Sequence, residues 1–276
     1  MPITDAIIPV AGLGTRLLPA TRSQPKEMLP VLDRPVVQYV VEELVGAGIQ
    51  RVLFVTGRRK RAIEDHFDSD PELGSDPLVD PRSGLQILYT RQSRPAGLGD
   101  AIRYGTGLAA AEGVVVALGD AIIETPGSGH GITRRLIETF ERERPAAVIA
   151  VQAVSAQDAS RYGVVAGPLE HLTGIVEKPA AADAPSEWAV AARYVFAPAV
   201  LDELRVTAAD ASGEVQVADA LNALIARGER VIALPLGDGE TRHDIGTVES
   251  YARTFVHFAL RDPLIGPGIR ELLRDG

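Results

Sequence analysis

Near its N-terminus the chain reads Ala6-Ile7-Ile8-Pro9-Val10-Ala11-Gly12-Leu13-Gly14-Thr15-Arg16, and Pro25-Lys26-Glu27 follows. The apolar first half has the length of a buried strand, and it leads straight into glycines. Glycines after a strand allow backbone N–H groups to approach phosphate oxygens closely. Arg16 can bridge two such oxygens, and Lys26 adds a point charge. The segment predicts a strand and a phosphate-binding loop, with a tight turn beside incidental basic residues as the alternative.

Spacing separates this loop from two other phosphate motifs. A dinucleotide fingerprint, G-x-G-x-x-G, requires glycine at position 17, where this chain has Leu17. A P-loop requires Gly-Lys followed by Ser or Thr, and this loop lacks that sequence. Lys26 is informative for another reason: of 28 basic residues, only Lys26, Lys60 and Lys178 are lysines.

Strand-like and helix-like segments alternate through the first half of the chain. Strands are predicted at 6–10, 52–56, 85–89, 114–118, 147–154, 163–165, 174–177, 189–196 and 231–236. Helices are predicted from an N-cap at Asp33 to Gly46, at 59–67, 98–111, 215–226 and 247–260, and in a short closing segment. Residues 68–84 are predicted to form a surface loop. The alternation predicts a doubly wound sheet with ligands at the carboxyl ends of its strands, which becomes mixed later in the chain.

Composition excludes several classes of function. The 276 residues carry a net charge of −9, which argues against a nucleic-acid partner. There is no cysteine, so thiolate metal sites and a cysteine nucleophile are excluded. No apolar run approaches the roughly 20 residues that span a membrane. No basic segment precedes the first apolar run, so we expect a cytoplasmic protein without a membrane partner.

Several motifs together resemble one family, the bacterial UTP–glucose-1-phosphate uridylyltransferases, within the wider group of sugar-phosphate nucleotidyltransferases. The loop motif Gly12 to Thr21 and the segment Pro25 to Pro30 are similar to the opening signature of that family. The similarity continues in order through 38–42, 66–68, 97–99, 162–165, 177–179, 193–195, 214–216 and 243–246. The resemblance thus covers most of the chain.

The resemblance implies a fold, a reaction and a cofactor. The fold is α/β, with a Rossmann-like, mixed but mostly parallel central sheet flanked by helices, as in nucleotide-diphospho-sugar and glycosyltransferase-A-like enzymes. We expect a single domain, 1–276, with a nucleotide-binding half at about 1–125 and a sugar-phosphate half with C-terminal helices at about 126–276; two separate domains are the alternative. The expected reaction, of the EC 2.7.7.9 class, joins UTP to glucose 1-phosphate with Mg²⁺ and releases pyrophosphate.

The resemblance also assigns roles to residues. The expected nucleotide-binding residues are Ala11, Gly12, Leu13, Gly14, Thr15, Arg16, Lys26, Gln92, Gly97 and Asp120. Gly163, Glu177, Lys178 and Arg193 are expected at the sugar phosphate, and Asp120 and Asp244 at the metal. Arg16, Lys26, Asp120 and Lys178 are the expected catalytic residues. Gln92 carries the donor and acceptor that a uracil or thymine edge requires.

Some of these residues also have a purely structural interpretation. Asp120 alone would also suit a helix N-cap, and Glu177-Lys178 an exposed charge pair at a strand end. We interpret His66 as structural, and the segment Arg58 to Arg61 as a solvated helix start.

Four residues depart from the family pattern. Ala96 and Asp100 stand where uridylyltransferases usually carry Lys and His, Gly119 matches the thymidylyltransferase version, and Ala192 replaces a usual glycine. These departures keep open dTTP or another sugar 1-phosphate as substrate. A non-catalytic, regulatory sugar-nucleotide-binding relative is the further alternative. The family implies homodimers or homotetramers, formed partly through C-terminal helices.

Overall fold

The computed structural model describes residues 2–68, 72, 84–107, 112–127 and 130–275. Its strands are β1 Asp5–Pro9, β2 Pro30–Val31, β3 Arg34–Pro35, β4 Arg51–Thr56, β5 Gln86–Arg91, β6 Val114–Ala117, β7 Ala121–Glu124, β8 Ala147–Ala153, β9 Gly163–Ala166, β10 Gly174–Glu177, β11 Trp188–Phe196, β12 Val231–Pro235 and β13 Thr241–Asp244. Its α-helices are α1 Val36–Gly46, α2 Arg61–Phe67, α3 Leu98–Arg103, α4 Ile132–Glu143, α5 Ala156–Ala159, α6 Pro198–Val206, α7 Val217–Ala226, α8 Val248–Arg261 and α9 Gly266–Asp275. The loop predicted at 68–84 lies mostly outside the described residues.

Nine of the described strands form one mixed sheet. Its main path runs β10-β9-β11-β6-β1-β4-β5, and β8 pairs with both β11 and β12. The pairs among β6, β1, β4 and β5 are parallel, as is the pair of β12 with β8. Every antiparallel pair in this sheet involves β11 or β9. The predicted α/β class with a mixed central sheet is confirmed.

Helices cover both faces of the sheet because both faces are apolar. One core joins α3, α6 and α7 to the sheet, and a second joins α1, α2 and α4 to its other face. A smaller cluster, which includes Leu17, Val31 and Ile122, packs beside Tyr251 and Phe258 of α8. In a parallel sheet the strand ends meet at one edge, so the loop after β1 and the turn after β6 lie near each other.

The strand β11 is interrupted in its middle. Its pairing with β8 shifts register between Val190 and Tyr194, and Ala192 lies there in the left-handed region, at φ 63. A bulge of this kind bends a strand and turns its side chains. The interruption lies beside the turn after β6, since Leu118 N–H donates to the carbonyl oxygen of Ala192 at 3.1 Å.

Several predicted helices begin or end elsewhere, and in three of them distinct contacts lie at the shifted end. The helix predicted from Asp33 begins at Val36, because Arg34–Pro35 pairs with Pro30–Val31 in a small hairpin. The helix predicted at 98–111 leaves helical geometry after Arg103, and residues 108–111 lie outside the described part. Just after this helix the chain passes very close to β1, since a Cβ at Gly105 would lie 2.3 Å from Cδ1 of Ile7.

The third is α7, which begins at Val217 rather than at Val215. The backbone of Val215 is engaged elsewhere: its N–H donates to Ala96, and its carbonyl oxygen accepts from Gly99. These bonds hold the segment before α7 against the N-terminus of α3. Among the described residues, no helix has the length and apolar character needed to cross a membrane.

Candidate functional site

A cavity of about 450 Å³ opens where the loop after β1, the turn after β6 and the interrupted strand β11 meet. It brings together most of the residues that the sequence singled out: Ala11, Gly12, Arg16, Lys26, Gln92, Gly97, Asp120, Gly163, Glu177, Lys178 and Asp244. Residues from both halves of the chain therefore line one continuous cavity.

The glycine loop forms one end of the cavity. Gly12 faces Lys26, since a Cβ at Gly12 would lie 3.9 Å from Nζ of that lysine. Gly14 has φ 66, a conformation that glycine adopts without strain, and its carbonyl oxygen accepts from Thr21 Oγ1 at 2.8 Å. Leu13, Gly14 and Thr15 lie beside the cavity lining rather than in it, and Leu13 is exposed.

Two lysine–carboxylate pairs stand side by side at this end. Lys26 Nζ donates to Asp120 Oδ2 in a very short contact. Burial raises the pKa of Asp120, but the charge and hydrogen bond of Lys26 together with the charge of Arg242 more than offset it, so that pKa lies below its ordinary value. Asp120 is therefore ionised at neutral pH, as a metal ligand must be.

The second pair corrects an expectation. Lys60 was predicted to be part of a solvated helix start, yet it is buried and donates to Glu27 Oε2 at 2.7 Å. Burial lowers the pKa of Lys60, and burial also raises the pKa of Glu27. Because Glu27 is adjacent to Lys26 in the chain, the buried Lys60–Glu27 ion pair lies directly beside Lys26, which lines the cavity.

Asp120 and Asp244 are brought together by the two-stranded sheet of β7 and β13. Asp244 pairs with Ala121, the residue after Asp120, and Ile245 N–H donates to the carbonyl oxygen of Asp120 at 3.0 Å. Both residues line the cavity. Two carboxylates that face open cavity space suit the hard-oxygen preference of Mg²⁺, which usually takes one or two carboxylates plus substrate phosphates. The donor set thus fits a magnesium ion.

Sequence reasoning missed two arginines in the cavity wall, Arg161 and Arg242. The guanidinium of Arg242 lies over the Tyr162 ring, 4.6 Å from its centroid, and Nη2 is 3.8 Å from Asp244 Oδ2. Its Nη1 donates to the carbonyl oxygen of Val190 at 3.2 Å. Both arginines directly precede matched motifs, at 162–165 and 243–246, and that adjacency was the only available signal.

Glu177 and Lys178 also line the cavity. Lys178 has φ 47, and its N–H donates to the carbonyl oxygen of Tyr162 at 2.9 Å. Its Nζ lies 3.3 Å from Glu177 Oε1, and the side chain remains more than half exposed. A Cβ at Gly163 would lie 3.0 Å from Glu177 Oε2, so the glycine leaves room for that carboxylate. Both charged groups are thus available to a ligand.

Arg193 requires a correction. It was expected at the sugar phosphate, but its side chain is completely buried. Nε and Nη2 contact Glu43, with Nη2 2.6 Å from Oε2. Further bonds run to the carbonyl oxygens of Ala121 at 2.9 Å and Ala192 at 3.2 Å. The arginine therefore holds the backbone around Asp120 and does not line the cavity.

Gln92 and Gly97 lie at the end of the cavity that faces α3. Gln92 is buried, and its Nε2 donates to Asp100 Oδ2 at 2.6 Å. That bond fixes the amide orientation, which leaves Oε1 as the acceptor. Gly97 has φ 94, and a Cβ there would lie 2.8 Å from the backbone of Val215. Asp100, a departure from the family pattern, is thus the residue that orients Gln92.

Close packing explains why residue 119 is a glycine. A Cβ at this position would lie 2.6 Å from Cγ1 of Val10 and 3.2 Å from Cγ2 of Ile8. The turn after β6 therefore packs so closely on β1 that a larger residue requires β1 to shift. The close approach places Asp120 next to the glycine loop.

Comparison with known proteins agrees with this geometry. The sequence model described as "Nucleotidyl transferase" matches residues 5–259. A UTP–glucose-1-phosphate uridylyltransferase from Streptococcus pyogenes is 38% identical over 98% of this chain and 93% of its own length. A UTP-bound UGPase from Acinetobacter baumannii superposes with a TM-score of 0.85 at 32% identity, over 98% of each chain. A UDP-glucose pyrophosphorylase complexed with UDP-glucose gives a TM-score of 0.85 at 33% identity, over 94% of this chain and 100% of that one.

These matches extend over almost the whole chain, in sequence and in structure alike. They include the glycine loop, the Asp120 turn and β13, which together form the cavity. The chain belongs to the nucleotidyl transferase family.

Proposed function

We propose that this protein makes UDP-glucose and pyrophosphate from UTP and glucose 1-phosphate. The observation that carries the proposal is that one cavity is lined by Arg16 and Lys26, by Glu177 and Lys178, and by Asp120 and Asp244. Relatives that align over nearly the full chain are named for this reaction, and one solved neighbour holds UDP-glucose. A nucleotide end and a sugar-phosphate end thus share one space.

The charges in the cavity suit an in-line attack of the sugar phosphate on the α-phosphorus of UTP. The attacking oxygen is already an anion, so no general base is required, and catalysis rests on positioning and charge neutralisation. In our proposal Arg16 and Lys26 hold the triphosphate and then the departing pyrophosphate. Lys178 holds the sugar phosphate, while Glu177 accepts hydrogen bonds from sugar hydroxyls near the Gly163 backbone.

Asp120 and Asp244 would hold Mg²⁺ between the two substrates. When bound there, the ion neutralises phosphate charge and acts as a template for both substrates. Lys26 contacts Asp120 directly. In our proposal Lys26 exchanges that carboxylate for phosphate oxygens when the nucleotide and metal enter.

Gln92 defines the proposed base end. With its amide nitrogen held by Asp100, its Oε1 accepts the N3–H of uracil, a contact that cytosine cannot supply. Thymine presents the same edge, so dTTP is the remaining competitor. dTTP stays a candidate substrate because Leu118-Gly119-Asp120 is similar to the corresponding sequence of thymidylyltransferases.

Two experiments test the proposal. Release of pyrophosphate should be measured across a panel of nucleoside triphosphates and sugar 1-phosphates. We expect the highest kcat/KM with UTP and glucose 1-phosphate. A clear preference for dTTP, or for another sugar phosphate, would replace the substrate assignment. Nucleotide binding without any pyrophosphate release would favour a regulatory relative.

Asp120→Asn tests the metal assignment. We expect turnover to fall by roughly 10²-fold or more, since this carboxylate acts where charge develops. The circular dichroism spectrum should be unchanged. Asp238→Asn, on an exposed turn outside the cavity lining, is the matched control. Near-normal turnover of Asp120→Asn would remove Asp120 from the metal site.

We further propose that the protein acts in the cytoplasm as one domain, and that it forms homodimers or homotetramers. Size-exclusion chromatography with light scattering tests the assembly. A monomer at micromolar concentration would contradict it.

A further inference from the structure

A second cluster of metal-ligating side chains lies on the side of β7 and β13 that faces α8. It consists of Glu124 at the end of β7, His243 in β13 and His257 in α8. One ligand atom from each residue lies within 4.8 Å of the others. The three residues come from segments that are far apart in the chain, so only the fold brings them together.

Both imidazoles converge on one carboxylate oxygen. His243 Nε2 lies 3.4 Å from Glu124 Oε2, and His257 Nε2 lies 2.7 Å from the same oxygen. In a tetrahedral zinc site with bonds of about 2.0–2.2 Å, neighbouring ligand atoms are about 3.3–3.5 Å apart. The first contact already has this length, and the second requires an opening of well under 1 Å, within the range of a rotamer adjustment.

The surroundings hold these ligands in place. Arg261 Nη1 donates to Glu124 Oε1 at 2.9 Å, which leaves Oε2 directed at the imidazoles. Such outer contacts to ligating carboxylates orient them in metal sites. The rings of His243 and His257 also pack against Phe258, with centroids 5.2 and 5.6 Å away. Both imidazole rings are thus held in a packed and only partly solvent-accessible environment.

We propose that Glu124, His243 and His257 form a transition-metal site that takes Zn²⁺, with water as the fourth ligand, and that this metal fastens α8 to β7 and β13. Two imidazoles and one carboxylate suit zinc and disfavour Mg²⁺, which demands oxygen ligands. The chain has no cysteine, so histidine and carboxylate are the ligands it can offer to such an ion.

The consequence concerns the strands that carry the cavity carboxylates. Asp120 directly precedes β7 and Asp244 ends β13, while Glu124 and His243 lie on the same two strands. A metal that binds the folded chain and not the unfolded one stabilises the fold by mass action. Zinc at this cluster therefore stabilises the β7–β13 pair and the docking of α8 without entering the cavity.

The experiment uses the full chain, stripped of metal with a chelator that is then removed. Zinc binding is measured by titration calorimetry, and the geometry is probed by the visible absorption spectrum of bound Co²⁺. Thermal unfolding is followed with and without ZnCl₂. Wild type, His257→Ala, Glu124→Gln and Arg261→Ala are compared. His171→Ala removes an exposed histidine outside the cluster and serves as the matched control.

We expect one zinc equivalent in wild type and in His171→Ala, with a Co²⁺ spectrum of tetrahedral type and a higher melting temperature when zinc is present. His257→Ala and Glu124→Gln should bind zinc at least about 100-fold more weakly, and Arg261→Ala about 10-fold more weakly. Circular dichroism of the metal-free variants checks that they are folded.

Asp120→Asn separates this cluster from the cavity, and it should retain the zinc site. The proposal is overturned if wild type binds zinc no more tightly than His257→Ala, or if Asp120→Asn abolishes binding while His257→Ala retains it. If His257→Ala fails to fold, the comparison of Glu124→Gln with His171→Ala decides in the same way.

Discussion

Replacing Arg193 by methionine should destabilise the protein and impair turnover together. The arginine is completely buried, and it joins Glu43 to the carbonyl oxygens on both sides of Asp120. Methionine fills a similar volume but supplies no hydrogen bond. The carboxylate of Glu43 then keeps the hydrogen bond that Thr133 Oγ1 donates at 2.5 Å. The carbonyl oxygens of Leu118, Ala121 and Ala192 each lose the bond that the guanidinium donates.

The expected size follows from the geometry. Removing one partner of a buried, hydrogen-bonded pair costs about 3–5 kcal/mol. The Glu43 side chain is 14% exposed, so water recovers part of that cost and the lower end applies. About 3 kcal/mol corresponds to a fall in melting temperature of roughly 6–12 °C for a chain of this size. Turnover should fall roughly 10-fold to 100-fold, because the Asp120 turn loses its anchor.

Calorimetry and a pyrophosphate-release assay measure both effects. Arg193→Lys should recover part of the stability but not the forked contact to Glu43. Arg253→Met is the control, since Arg253 pairs with Glu249 at 2.9 Å where both side chains are largely exposed, and such pairs contribute about 0–1 kcal/mol. A melting temperature of Arg193→Met close to that of Arg253→Met would refute the reasoning.

Three further variants probe other features. Ala192→Gly should change stability by less than about 1 kcal/mol, since relief of the left-handed strain at φ 63 offsets the lost Cβ; a large loss in a urea titration would contradict this. Asp100→Ala should free the Gln92 amide to flip and lower the selectivity for UTP over CTP, and an unchanged ratio of kcat/KM would exclude that role. Burial lowers the pKa of Lys60 below its ordinary value of 10.5, so unfolding takes up a proton in the pH interval between the lowered pKa and 10.5. Wild type should therefore gain stability over Lys60→Met as pH rises through that interval toward 10.5, and a constant difference would speak against it.

The alternation of apolar strands and amphipathic helices was sufficient to predict the α/β class. Periodicity identified the first strands correctly because both faces of that sheet are covered. It failed at helix ends, where distant contacts decide. The backbone of Val215 is held by Ala96 and Gly99, and Gly105 packs on Ile7. In both cases the partners lie about 100 residues or more away in the sequence.

The candidate site shows the same division. Arg16, Lys26 and Asp120 were predicted from local motifs, and all three line the cavity. Arg193 also belongs to a matched motif, but a motif does not reveal which way a side chain points. Its strand is interrupted at Ala192, and the guanidinium turns toward Glu43 instead of the cavity. Lys60 was misjudged because its partner Glu27 is distant in sequence.

The pairing of β7 with β13 has a consequence for synthesis on the ribosome. Asp120 is synthesised 124 residues before Asp244. Until β13 docks on β7, the nascent chain carries a single carboxylate in that turn and the glycine loop beside it. A product truncated before Thr241 therefore lacks half of the acidic pair, whatever the quality of its central sheet. In our proposal, the metal-binding pair is complete only once β13 has docked on β7.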